Sequence, residues 1–372
     1  MTTQKLLNPG PVTLTDRVRR ALLREDACHR EADFAVFARD VRARLARVYP
    51  EAEASHVPVL LTASGTGAVE AMVGSLVPRG GKALVVANGV YGERAAEMLA
   101  AQGKAFEVVR SAWTAPMDVA GASQRLDEGA FTHVVAVHHE TTTGRLNDVG
   151  ALGAVCRVRG VPLLLDAVSS FGGEEIRFDA WNVVACAATA NKCLHAVPGL
   201  AFVLVRKGAF EAASGATSVY LDLHRYAAEQ AGGAFPFTPA VQALFALDEA
   251  LRELGDEGGV PARRARYASL SGRLRCGLGE LGIEMLLDAA ECSSMLTSFH
   301  VPSGVSYEVL HDGLKAAGFV LYAGQGQLQG AVFRVAVMGD LTAADIDGVV
   351  AEIGGLLTAA APPRRSRPAA PP

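Results

Sequence analysis

Residues 161–166, Val161-Pro162-Leu163-Leu164-Leu165-Asp166, and residues 183–193, Val183-Val184-Ala185-Cys186-Ala187-Ala188-Thr189-Ala190-Asn191-Lys192-Cys193, are short apolar runs with an ionisable side chain at the carboxyl end. Runs of this length, without polar alternation, read as strands covered on both faces. Five more surround them: Val59–Ala63, Ala83–Ala87, Phe106–Val109, Val134–His138 and Ala201–Val205. Between these, Ala68–Val77, Ala95–Ala101, Val119–Leu126 and Val149–Arg157 repeat apolar residues at helical spacing. Strands alternating with helices imply crossover connections. The expected fold is α/β, a mostly parallel seven-stranded sheet with helices on both faces.

The texture changes after Gly255. Asp256-Glu257-Gly258-Gly259 breaks a helix, and Ala262–Leu281 reads as a long basic amphipathic helix. Leu296–Val301, Val320–Leu321 and Val332–Val337 are candidate strands, with helices at Glu308–Ala317 and Ala343–Leu357. This pattern predicts a large unit over residues 15–255 and a smaller α+β unit made of residues 1–14 and 256–358. The tail, residues 359–372, has no apolar face to bury and is expected to be disordered.

Composition narrows the function. With 372 residues, 50% hydrophobic and 20% charged, the chain has material for a large packed core, which excludes a disordered or disulfide-stapled scaffold. A net charge of −4 and a pI near 6.2 give none of the basic excess expected of a nucleic-acid binder. No apolar run reaches the roughly 18 residues of a membrane span, and Met1–Asn8 does not resemble a signal peptide. The six cysteines are scattered without a Cys-x-x-Cys pair, which points to reduced thiols and a cytoplasmic location.

Three segments carry chemistry. Ala63-Ser64-Gly65-Thr66-Gly67 follows a strand and opens a helix; its small residues, hydroxyls and helix N-terminus suit a phosphate, or form a helix cap without a ligand. Asp166 closes an apolar strand, where open α/β sheets bind ligands; the alternative is a cap on the following turn. Lys192 is one of only six lysines in the chain. Beside a buried strand its amine is expected to be desolvated and nucleophilic, unless it snorkels to solvent. An aromatic lies between the first two segments, in Gly89-Val90-Tyr91-Gly92. Phosphate anchor, stacking face, strand-end carboxylate and amine are together the parts that pyridoxal 5′-phosphate requires.

At this point the chain resembles the class V aminotransferases of fold type I, from Leu6 to about Leu357. The resemblance rests on Leu7-Asn8-Pro9-Gly10-Pro11, Asn88-Gly89-Val90-Tyr91-Gly92-Glu93-Arg94 and His139-Glu140-Thr141-Thr142-Thr143-Gly144. It rests further on Asp166-Ala167-Val168-Ser169-Ser170-Phe171-Gly172-Gly173, Ala190-Asn191-Lys192-Cys193 and Val197-Pro198-Gly199-Leu200-Ala201-Phe202. The threonine triplet and the Asn-Lys-Cys context resemble most the branch that moves the amino group of 2-aminoethylphosphonate to pyruvate. The resemblance implies that Lys192 holds the cofactor aldehyde and shuttles the proton, and that Asp166 pairs with the pyridine nitrogen. It places Tyr91 and Val168 on the two ring faces, Ser64, Gly65 and Thr66 on the phosphate, Thr141 near the ring hydroxyl and Asn191 beside the lysine. Thr238 would reach the phosphate of a second subunit, implying a homodimer, and Arg334 would grip the substrate anion, with His29 and Arg30 as possible helpers or plain surface charges.

Two departures bear on the substrate. The family often carries a Pro-Gly-Lys turn where this chain reads Ala323-Gly324-Gln325, and Arg334 is followed by the apolar Val335-Ala336-Val337-Met338. Rival readings are alanine–glyoxylate or serine–pyruvate transamination and a non-catalytic cofactor-binding module. Cysteine desulfuration needs a loop cysteine, and residues 324–332 contain none. His138 and His139 are adjacent on a strand and face opposite ways, so a shared metal is not expected.

Overall fold

The computed structural model describes residues 4–360. The seven expected strands form and join one sheet. They are β1 (His56–Leu61), β2 (Lys82–Ala87), β3 (Ala105–Arg110), β4 (His133–Val137), β5 (Leu163–Asp166), β6 (Val183–Thr189) and β7 (Ala201–Arg206), in the order β1-β7-β6-β5-β4-β2-β3. Only β7 opposes the rest, pairing antiparallel with β1 and β6. Successive residues of each strand bury into opposite layers. Leu84, Val86, Leu163 and Leu165 pack toward the helices Ala32–Ala46, Val119–Glu128, Val149–Val158 and Val241–Glu257. Ala83, Val85, Ala87 and Leu164 pack toward Gly65–Leu76, Val90–Ala101 and Leu223–Ala231. Leu163, Leu164 and Leu165 are all fully buried, and each contributes about 1.5–3 kcal/mol of transfer free energy. This two-sided burial explains why the strand sequences lack polar alternation.

A third core joins Leu7 and Val12 to Tyr267, Leu274, Phe299, Phe333, Ile346 and Val349. It lies under a three-stranded antiparallel sheet of β8 (Leu296–His300), β9 (Tyr322–Ala323) and β10 (Val332–Ala336), in the order β8-β10-β9. Several expected boundaries need correction. The 320–321 strand is Phe319–Val320, held by a parallel partner at Lys5–Leu6 that the pattern did not show. The long basic helix starts at Gly259, directly after Gly258 closes Val241–Glu257 in the left-handed region at φ 104°. The last helix runs Ala343–Ala360, so residues 359 and 360 are helical rather than tail. Residues 361–372 lie outside the described residues. Among the described residues no helix is long and apolar enough to cross a membrane.

Candidate active site

The parallel strands bring the ends of β1, β2, β4, β5 and β6 to one edge, facing the N-termini of the helices that follow them. Asp166 ends β5 and is buried. Its Oδ1 accepts from the Val168 amide at 2.9 Å. Burial pushes its carboxyl above the usual range, opposed by the Val168 bond and the charges of Lys192 and Arg94. The carboxylate thus lacks a cation that fully offsets its desolvation, and a protonated ring nitrogen is the kind of partner that would supply one.

Lys192 lies three residues beyond β6. It is half-buried rather than enclosed, so the expected desolvation is partial. Its Nζ donates to Ser169 Oγ at 2.8 Å and sits 5.9 Å from the Tyr91 ring centroid. A Cβ at Gly10 would come 3.0 Å from Lys192 Cγ, so the Pro9-Gly10-Pro11 segment lies against the lysine stem. Asn191 is pinned by Thr189 Oγ1, which donates to its Oδ1 at 2.7 Å.

Ser64 caps the helix Gly65–Leu76, accepting from the Gly67 amide at 3.3 Å. That role uses a lone pair and leaves its O–H free to donate. Ser64 and Thr66 are exposed at the helix mouth, whereas Gly65 is buried. A Cβ on Gly65 would stand 2.5 Å from Val168 Cγ1 and 3.3 Å from Thr189 Cβ, so only hydrogen fits between this helix start and the β5 turn.

The opposite wall is built by residues 138–145. His139 bridges the Ser169 carbonyl (3.3 Å) and Ser293 Oγ (2.9 Å) through its two ring nitrogens. His138 turns instead to Ser170 Oγ at 3.0 Å and the edge of Trp181. Burial pushes both imidazoles down to about 3, keeping them neutral. The hydroxyls of Thr141 and Thr143 are buried without a partner. Arg334, on β10, is buried to 3% exposure. Its Nε donates to Ala323 O (2.9 Å) and its Nη1 to Thr141 O (2.9 Å) and Gln325 Oε1 (3.1 Å), which leaves Nη2 for a ligand. Ser298 faces Arg334 across β8–β10, and its hydroxyl is also buried and unpartnered.

The structure thus gathers Lys192, Asp166, Tyr91, Val168, Asn191, Gly65 and Thr141, with Arg334 joined through Thr141. Thr238 is exposed on the loop before Val241, which Ala240 ties to Thr62 Oγ1 at 3.0 Å. Arg30 is exposed, and His29 is half-buried with a partnerless Nε2; neither bonds to Arg334. Sequence reasoning assigned no role to Ser169, Glu140, Gln325 or Ser298. Ser169 and Glu140 stood inside quoted motifs, but nothing local to them signals their partners.

An exposed hydroxyl-rich helix mouth, a buried carboxylate short of positive charge, orphaned threonine hydroxyls and a reachable amine fit a phosphorylated, hydroxylated pyridine aldehyde. The chain matches the family described as aminotransferase class-V over residues 20–347 and belongs to it. It is a pyridoxal-phosphate-dependent aminotransferase. A 2-aminoethylphosphonate–pyruvate transaminase of Burkholderia thailandensis is 41% identical over 359 residues, covering 95% of this chain and 96% of the relative. Among solved structures, the pyridoxamine-pyruvate aminotransferase of Mesorhizobium loti superposes with a TM-score of 0.87 at 27% identity, covering 96% of this chain and 93% of that one. The aspartate aminotransferase of subgroup IV from Thermus thermophilus gives 0.86 at 27%, covering 96% and 100%.

Proposed function

We propose that this chain transfers the amino group of 2-aminoethylphosphonate to pyruvate, giving phosphonoacetaldehyde and L-alanine in two alternating half-reactions at one site. The observation that carries the reading is the full-length similarity to transaminases named for that donor and acceptor, joined to a buried arginine fork with a free Nη2 beside the threonine triplet. When bound, pyridoxal 5′-phosphate supplies the aldehyde that accepts the amine and the electron sink that acidifies the adjacent C–H.

This chain's residues do the rest. Lys192 Nζ is the amine that would hold the cofactor aldehyde, and once freed it would carry the proton away from the donor carbon. Ser169, on its Oγ, keeps that amine aimed across the Tyr91 ring. Asp166 would pair with the ring nitrogen and keep it protonated. Ser64, Gly65 and Thr66 would take the phosphate with a hydroxyl pair and the helix N-terminus, Tyr91 and Val168 would cover the ring faces, Thr141 would meet the ring hydroxyl and Asn191 would steady the lysine turn. Arg334 binds the phosphonate of one substrate and the carboxylate of the other. Thr238, exposed and so available to a second copy, would complete the phosphate site of the other subunit in a homodimer, and the free cysteines support a cytoplasmic location.

The test mixes cofactor-loaded protein separately with 2-aminoethylphosphonate, L-alanine and L-serine and follows the visible band of the lysine-bound cofactor. Bleaching by 2-aminoethylphosphonate, and by alanine in the reverse direction, is expected. Bleaching by alanine or serine alone would move the substrate to the α-amino-acid branch. Lys192→Ala should abolish both the band and turnover; retained activity would overturn the assignment.

A further inference from the structure

The helix Val90–Ala101 carries Tyr91 in its first turn, yet its N-cap position is Gly89, which has no side chain to satisfy the leading amides. The missing cap comes from 50 residues downstream. Glu140 Oε2 accepts from the Tyr91 amide at 3.3 Å, and Thr142 Oγ1 accepts from the Val90 amide at 3.2 Å. The same Thr142 hydroxyl donates to Glu140 Oε1 at 2.5 Å, and the Thr142 amide donates to that oxygen at 3.2 Å. A Cβ at Gly89 would run into the Glu140 carboxyl, so the glycine makes room for the borrowed cap. Between the two capping residues, Thr141 turns its carbonyl to Arg334 Nη1. One three-residue segment therefore touches the helix that presents Tyr91 and the arginine that takes the anion.

We propose that Glu140 is a positioning residue: with Thr142 it caps the Tyr91 helix from outside, and through Thr141 it holds the Tyr91 ring and the Arg334 fork in one fixed relation. The inference rests on the reading that this site binds the cofactor and an anionic donor. Other features agree with a built network. Glu140 is fully buried, and burial pushes its carboxyl up to about 7, with the Thr142 bonds opposing and Asp166 adding to the rise. Arg334, whose own guanidinium is disfavoured by burial, has Glu140 among the groups that support its charge. Reciprocal amide bonds between Asn88 and Asn147, at 2.8 and 3.1 Å, tie the other ends of the two segments together. Every polar atom of the Glu140 carboxyl is used as an acceptor from this network, and none points to Lys192.

Glu140→Gln keeps the volume but sets an amide NH₂ against either the Tyr91 amide or Thr142, both of them donors. In the cofactor-loaded full-length protein, KM for each anionic substrate should rise about tenfold, the ratio for one lost buried hydrogen bond, while kcat changes far less. The circular dichroism of the bound cofactor's visible band should fall, because the Tyr91 ring no longer holds one orientation. Thr142→Val should shift both readouts the same way, and the double variant should be no worse than Glu140→Gln, since the two act as one cap. A Glu140→Gln protein with unchanged KM and dichroism, whatever its melting temperature, overturns the proposal; so does full additivity with Thr142→Val. The dichroism needs no substrate. A wild-type protein that fails to turn over 2-aminoethylphosphonate would therefore refute the substrate reading while this arm still decides the role of Glu140.

Discussion

Replacing Gly65 by alanine tests the contact that joins the Ser64–Gly67 helix mouth to the β5 turn. The added Cβ would stand 2.5 Å from Val168 Cγ1 and 3.1 Å from its Cγ2, whereas carbons pack at about 3.5–4.0 Å. The helix start must therefore retreat from Val168 by about 1 Å. Overpacking of this kind costs about 1–3 kcal/mol, and the helix-propensity gain of about 1 kcal/mol offsets only part of it. A 1 Å error in placing a bound group is worth on the order of a hundredfold in function, so cofactor affinity should suffer more than stability. Gly67→Ala is the control: its Cβ would meet only Ala63 Cβ, at 3.1 Å, and the propensity gain should bring its stability within about 0.5 kcal/mol of wild type. The assay is cofactor titration followed by visible absorbance, with thermal unfolding in parallel. Val168→Ala added to Gly65→Ala should recover much of the affinity by removing the obstructing methyls. A Gly65→Ala protein that binds cofactor as wild type does would refute the reasoning.

Arg334→Lys should raise KM for anionic substrates about ten- to hundredfold, since charged hydrogen bonds of this kind are worth about 1.5–3 kcal/mol, and should leave cofactor affinity unchanged; equal losses in both would remove the substrate role. Arg263 is buried, donates to Cys193 O at 2.7 Å and pairs with Glu257 at 2.6 Å. Arg263→Ala should cost about 3–5 kcal/mol and loosen the turn that carries Lys192, which unfolding curves and the cofactor band would report; a loss below about 1 kcal/mol would show that the pair is not structural. Stability should fall on acidification below pH 6.5. Burial holds His138 and His139 down near 3 and His56 near 4, each from an ordinary 6.5. Between those values the unfolded chain binds protons that the native state refuses, so each contributes stability that is complete above 6.5 and lost as pH drops, about 1.4 kcal/mol per unit at most. Glu140, raised from 4.5 to about 7, works the other way over part of this range, and the three histidines outweigh it. Urea melts at pH 7 and 5.5 measure the slope; a flat profile would mean that these imidazoles are hydrated.

Much of this protein was legible along the chain. The seven strands and the polarity of their ends follow from local composition, because a two-faced sheet forces continuous apolar runs and crossover helices leave a regular period. Asp166 and Lys192 were visible for the same reason, as ionisable groups at the ends of such runs. The two-residue pairings, Lys5–Leu6 with Phe319–Val320 and His139–Glu140 with Arg145–Leu146, were not, since two residues carry no periodicity. How far the lysine is exposed, which local sequence left open between burial and snorkelling, was also not decided there. It depends on Ser169, 23 residues away, and on where the turn after β6 emerges.

Contiguous residues carried the architecture and the cofactor chemistry and pointed to Lys192 and Asp166 as the candidate amine and carboxylate; Arg334 followed from the family resemblance. The groups that surround them were set by packing between distant segments. Glu140 and Thr142 cap a helix begun 50 residues earlier, Gln325 accepts from Arg334 where an extra cation was looked for, and Arg263 pins the Cys193 carbonyl from a helix 70 residues on. These contacts join segments distant in the chain. Their geometry comes from how the layers pack around the sheet edge, and no local pattern encodes it.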